Sequence, residues 1–154
     1  MSIVVVGATG TIGQHVVRGL AAKGEPVRVL TRDAGRARQV LGAALPDGVQ
    51  VVTGDLADAS VVRRLVDGAD RAFLTTPGSP EQPTLELGFL RAAAASGVEH
   101  VVKISVPGPT IDHLVPFARW HAEIEQQLPA CLATTILRPN PSTRSERWQP
   151  SCSC

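Results

Sequence analysis

Tyrosine is absent from this 154-residue chain, and all aromatics together make up only 3% of it. The absence removes the phenol as a proton donor, so any acid chemistry must come from another side chain or from water. Cysteine is nearly as scarce. Cys131, Cys152 and Cys154 offer one pair with a single intervening residue and no second pair, which does not fit metal-ligand spacing, and free thiols are expected. Charge of one sign is also missing. Fifteen basic side chains face fourteen acidic ones for a net charge of +1, and the arginines are scattered among acids, which excludes the basic stripe that neutralises nucleic-acid phosphates. No apolar run approaches the roughly 20 residues a membrane helix needs. The short run Ile3-Val4-Val5-Val6 lacks a basic flank and a small-residue cleavage site. No nucleic-acid or membrane partner is therefore expected, and the expected compartment is the cytoplasm.

What is present is ordinary material for one domain, 44% hydrophobic and 19% charged. Short β-branched apolar runs at residues 3–6, 27–30, 49–52, 72–75, 101–105 and 134–137 alternate with helical spacing at 11–22, 36–41, 59–66, 83–96 and 114–128. Asp58 and Asp112 are placed to cap the helices that follow them. Nearly continuous apolar strands suit a parallel sheet covered on both faces, and the alternation demands right-handed crossovers. The expectation is a doubly wound α/β fold in three layers, helices on both faces of a sheet ordered 3-2-1-4-5-6. That unit is expected over residues 1–141. Residues 142–154, rich in Ser, Arg and Cys, have no periodicity and are expected to form an irregular tail.

The first apolar run feeds Gly7-Ala8-Thr9-Gly10-Thr11-Ile12-Gly13, and Ile12, Val16, Val17 and Leu20 then repeat on one helical face. Such a corner leaves backbone N–H groups pointing outward with the positive end of a helix dipole behind them, so phosphate oxygens are its natural partner. Gly7 would let the chain leave the strand sharply, Gly10 would let a phosphate approach, and Gly13 would let the helix lie close on the sheet. The G-x-x-G-x-x-G spacing departs from the commoner G-x-G-x-x-G, and the strand before it and the helix after it supply the context. A dinucleotide pyrophosphate is expected here, held by Gly7, Thr9, Gly10, Thr11, Ile12 and Gly13.

Ligands on such sheets bind beyond the carboxyl ends of the strands. Arg32, just past the second strand, is placed to pair with the 2′-phosphate of NADP(H), the preferred cofactor. The neighbouring Asp33 could instead accept from the ribose of NAD(H), which keeps that cofactor open. Asp55 could meet an adenine edge by its side chain or through the Leu56 amide, or could simply build a turn. Thr75, Thr76 and Pro77 end the fourth strand, and Pro77 and Pro139 are expected to shape loops over the cofactor or merely to end strands. His15 and His100 are read as structural and His113 as a loop residue near the site mouth, with no metal cluster among them.

Taken together, Gly7 to Gly13, Thr31-Arg32-Asp33, Gly54-Asp55-Leu56, Val102-Lys103-Ile104-Ser105, Trp120-His121-Ala122-Glu123-Ile124-Glu125 and Thr135-Ile136-Leu137-Arg138-Pro139-Asn140 resemble the NmrA-like branch of atypical short-chain dehydrogenases/reductases. The resemblance implies a Rossmann NAD(P)-binding domain. It also implies either an NADPH-dependent oxidoreductase acting on a small quinone, azo or flavin-type acceptor, or a non-catalytic redox sensor with a regulatory protein partner. Where the wider superfamily has Tyr-x-x-x-Lys, this chain aligns Phe117 and His121. Ser105 aligns with a catalytic or substrate-orienting serine, or only closes a strand. His121 could bind ribose or act as an acid, or only occupy a helix face. The resemblance further implies a C-terminal strand and helices that close the substrate pocket, which this sequence lacks. The abrupt change after Asn140 is accordingly expected to reflect a shifted reading frame or a truncated gene, leaving an inactive fragment as the third reading.

Overall fold

The computed structural model describes residues 1–43 and 45–139. Six strands, β1 (Ile3–Val6), β2 (Val27–Thr31), β3 (Val49–Thr53), β4 (Arg71–Leu74), β5 (His100–Ile104) and β6 (Ala133–Leu137), form one sheet in the order β3-β2-β1-β4-β5-β6. Every pairing is parallel, as the apolar β-branched runs require, with Val5 of β1 opposite Val29 of β2 and Phe73 of β4. The doubly wound order expected from the sequence is the order found.

Five helices cover the faces: α1 (Gly13–Ala21), α2 (Ala34–Leu41), α3 (Ala59–Val66), α4 (Gln82–Ala95) and α5 (Pro116–Gln126). Alternation along β1 divides the core between them, because successive side chains of a strand point to opposite faces. Ile3 and Val5 pack with Val17, Val29, Leu41 and Phe73 under α1 and α2. Val4 and Val6 pack with Leu65, Leu74, Phe89, Leu90 and Ile124 under α3, α4 and α5. The same rule applied to β5 puts Lys103 on the face of Val101, which belongs to the second core, so a lysine enters the layer beneath α4 and α5.

Four helix starts depart from the sequence expectation, α2 beginning at Ala34 rather than 36 and α4 at Gln82 rather than 83, and the other two bear on residues singled out in the sequence. α1 begins at Gly13, not residue 11, and Ile12 is its N-terminal flanking residue, 41% exposed and off the apolar face to which the spacing had assigned it. Asp58 caps α3, its carboxylate accepting from the N–H groups of Ser60 and Val61, but Asp112 does not cap α5. Val115 holds that position, and Pro116 starts the helix because its fixed φ suits a first turn. Asp112 sits in the preceding turn, where the Thr110 hydroxyl holds its carboxyl below the ordinary range. Asn140, Cys152, Cys154 and the tail at 142–154 lie outside the described residues, and Cys131 is exposed and has no disulfide partner among the described residues.

Candidate functional site

The corner between β1 and α1 is built by glycine contacts. Gly7 has φ +79°, a conformation other residues rarely adopt, and a Cβ there would stand 2.2 Å from the Thr75 carbonyl oxygen. A Cβ on Gly13 would stand 2.1 Å from the Gly7 carbonyl oxygen, so α1 approaches the sheet as closely as backbone allows. The turn closes by a hydrogen bond from the Gly10 N–H to the Gly7 carbonyl at 3.0 Å. Among the described residues the N–H groups of Thr11, Ile12 and Gly13 find no backbone acceptor, and α1 has neither a side-chain cap nor an acid in its first turn. Gly10, Thr11 and Ile12 are exposed. The corner is thus an open, uncapped helix start with unspent donors, the arrangement that holds an anion.

The strand ends beside it carry the other predicted residues. Arg32 is exposed and has no hydrogen bond or ion pair among the described residues. Asp33 is occupied: one carboxylate oxygen caps α2, accepting from Gly35 N–H at 2.8 Å and Arg36 N–H at 3.2 Å. Asp55 is occupied likewise, accepting from Ala57 N–H at 2.8 Å, while the Leu56 N–H has no acceptor among the described residues. Thr75 continues the β1 ladder and packs on Gly7. Pro77 and Pro139 are exposed, Pro139 just beyond β6.

A cleft of about 550 Å³ opens between the end of β5 and the start of α5. Ile104, Val106, Phe117 and Trp120 make its apolar walls, and Ser105 and His121 supply polar atoms. Phe117 and His121 share a helix face because they are one turn apart on α5. Ser105 is 2% exposed and donates its hydroxyl proton to Glu125 Oε1 at 2.6 Å, and Arg138 holds the other oxygen of that carboxylate. The Ser105 oxygen therefore keeps only lone pairs for anything in the cleft. Of the other histidines, His100 bonds the Thr135 hydroxyl at 2.8 Å, and His113 Nδ1 accepts from the Val115 N–H just before α5. No group of three metal-binding side chains occurs among the described residues.

Sequence reasoning missed what lies behind His121. Lys103 from β5 and Glu86 from α4 form an ion pair at 2.8 Å with both side chains fully buried. Lys103 Nζ also donates to the Ile104 carbonyl and to His121 Nδ1, each at 3.0 Å. Glu86 Oε1 accepts from the Thr76 hydroxyl at 2.6 Å and from Gln82 Nε2 at 2.9 Å, so Thr76 is tied inward. Burial, and then the Lys103 charge, hold the His121 pKa below its ordinary value. The signal was a lone cation inside an otherwise apolar strand and an acid one turn from Gln82 on an apolar helix face.

Comparison with known proteins gives these residues a setting. The NmrA-like family model matches residues 1–117. An NAD(P)H azoreductase of Xenophilus azovorans is 36% identical over 138 residues, covering 89% of this chain and 47% of that protein. A (4-alkanoyl-5-oxo-2,5-dihydrofuran-3-yl)methyl phosphate reductase of Streptomyces griseus is 42% identical over 104 residues, covering 68% and 34%. The matched regions thus cover under half the length of either curated relative. Among solved structures, the triphenylmethane reductase of Citrobacter sp. complexed with NADP(H) superposes with a TM-score of 0.74 at 22% identity, covering 90% of this chain and 49% of that one. That likeness is one of fold, a Rossmann-like sheet. With the family model matching 117 of 154 residues, the chain belongs to the NmrA-like family.

Proposed function

We propose that this chain is the dinucleotide-binding part of an NAD(P)H-dependent oxidoreductase that reduces a flat quinone, azo or flavin-type acceptor, with NADP(H) preferred over NAD(H). The observation that carries the proposal is the open corner at Gly7 to Gly13. A Cβ on exposed Gly10 would meet only the Gly7 carbonyl, at 3.2 Å, so internal packing gives a weak reason for glycine there and an approaching phosphate gives a strong one. Thr9, Thr11, Ile12 and Gly13 would complete the phosphate cradle.

Arg32 would pair with a 2′-phosphate, a role favoured by its lack of any other partner among the described residues and by the engagement of Asp33 as a cap. Asp55 would serve the adenine side through the turn it builds, which leaves the Leu56 amide to make the contact. Thr75 and Pro77 would border the nicotinamide end, and Pro139 the loop opposite.

A bound reduced nicotinamide supplies the hydride. The chain's own residues bind and orient: Phe117 and Trp120 offer apolar faces to a flat acceptor, Ser105 offers lone pairs, and His121 offers a ring nitrogen. With no tyrosine in the sequence, an acceptor whose reduced form takes its proton from water, with His121 serving only as a hydrogen-bond donor, fits better than an alcohol substrate. The test is NADPH oxidation followed at its absorbance with a quinone and an azo dye in turn. Acceptor-dependent oxidation supports the proposal; tight NADPH binding without turnover on either acceptor turns the reading toward a sensor of the cofactor with a protein partner.

A further inference from the structure

The buried cluster behind the cleft fixes more than a position. Lys103 Nζ donates to the Ile104 carbonyl and to His121 Nδ1, each at 3.0 Å, and pairs its charge with Glu86 Oε2 at 2.8 Å, an oxygen that accepts no hydrogen bond among the described residues. An ammonium only donates. Nδ1 of His121 must then be the bare nitrogen, and in a neutral ring the proton lies on Nε2. Lys103 also opposes a second proton on the ring, as does burial of a side chain only 8% exposed.

From this geometry we infer that the Lys103–Glu86 ion pair is a positioning device that locks His121 as a neutral imidazole protonated at Nε2. His121 is thereby a hydrogen-bond donor at the cleft wall and selects a ligand presenting an acceptor atom, such as a carbonyl oxygen or an sp² nitrogen. The selection of an acceptor rests on the proposed oxidoreductase role; the tautomer lock does not.

The surroundings of Nε2 agree. Nε2 lies 3.4 Å from Gln82 Nε2, itself a donor, while Gln82 Oε1 is buried without a hydrogen-bond partner among the described residues. Reversing the amide would give the His121 proton an acceptor, but would set Gln82 Oε1 against Glu86 Oε1 across 2.9 Å, two oxygens with no proton between them. Gln82 can satisfy Glu86 or His121 but not both. In this arrangement the His121 Nε2–H faces a donor and has no acceptor, and an acceptor atom on a ligand in the cleft that His121 lines would supply one. The charged groups facing His121 are Glu86 from α4, Lys103 from β5 and Glu125 from its own helix, and both carboxylates favour the protonated ring. Lys103 and burial oppose them.

The test is long-range ¹H–¹⁵N correlation of histidine side chains in the full chain without nucleotide, with His121 assigned by loss of its signals in His121→Gln. The expected pattern is a neutral ring protonated at Nε2, unchanged as the sample is acidified from neutral pH by about one unit. Lys103→Met leaves Glu86 buried and unpaired, so the decisive variant is Lys103→Met with Glu86→Gln, which removes both charges together. In it, His121 should show mixed tautomers or titrate nearer its ordinary value. A ring protonated at Nδ1 or at both nitrogens in the unsubstituted chain would overturn the inference, as would an unchanged pattern in the double variant. None of these outcomes depends on nucleotide binding, so the oxidoreductase proposal stands or falls separately.

Discussion

Lys103 Nζ and Glu86 Oε2 lie 2.8 Å apart with neither side chain exposed, joining β5 to the first half of α4. Removing one partner leaves a bare charge in the core, which typically costs about 3–5 kcal/mol, whereas removing both can be close to neutral. Lys103→Met should therefore unfold at markedly lower urea, and adding Glu86→Gln should recover most of the loss. The recovery, read as a double-mutant cycle in urea, measures the coupling.

Gly13→Ala should be costly for a different reason. The new methyl would meet backbone, the Gly7 carbonyl oxygen at 2.1 Å, and neither side can yield by rotating a side chain. Helix and loop must move apart, at a cost of about 1–3 kcal/mol by the usual scale of overpacking. Urea denaturation gives the stability loss, and a nucleotide titration should show binding weakened along with it.

Stability should also fall on mild acidification. In the folded chain the His121 pKa lies below its model value of 6.5, so the unfolded chain takes up the proton first as pH drops. The contribution is full above 6.5 and declines as pH falls from there to the folded-state value. Urea midpoints between about pH 7 and about pH 5.5 should show this slope in the unsubstituted chain and a shallower one in His121→Gln.

Arg32→Ala should separate the two cofactors. A charge-assisted hydrogen bond contributes about 1.5–3 kcal/mol, so NADPH affinity should drop by roughly tenfold to a hundredfold while NADH affinity stays put. Equal losses for both would remove Arg32 from the 2′-phosphate role.

Most of the fold was legible in the sequence because short, largely apolar runs such as Ile3-Val4-Val5-Val6 alternate with helical spacing, the pattern of a parallel sheet covered on both faces. The glycine corner was legible because Gly7 and Gly13 answer to backbone contacts that any side chain would block. Asp112 was misplaced because a good capping residue near a helix start carries no information about which turn comes first, and Pro116 decided it. Spacing put Ile12 on the apolar face of the first helix, yet it flanks the open N-terminus of α1 and is 41% exposed. The Lys103–Glu86–His121 cluster was invisible for a deeper reason. Its members come from β5, α4 and α5, and only the folded layers show that a lysine at an inward strand position has an acid waiting on the helix above.

The central claim is that unspent amides at the corner from Gly7 to Gly13 hold a pyrophosphate, and isothermal titration of the chain with NADPH tests it most directly. The account predicts saturable one-to-one heat that disappears in Gly10→Asp, where a carboxylate would stand beside the phosphates, with the fold of that variant verified by circular dichroism. No heat with NADPH or NADH for the unsubstituted chain, or undiminished binding in Gly10→Asp, would contradict it.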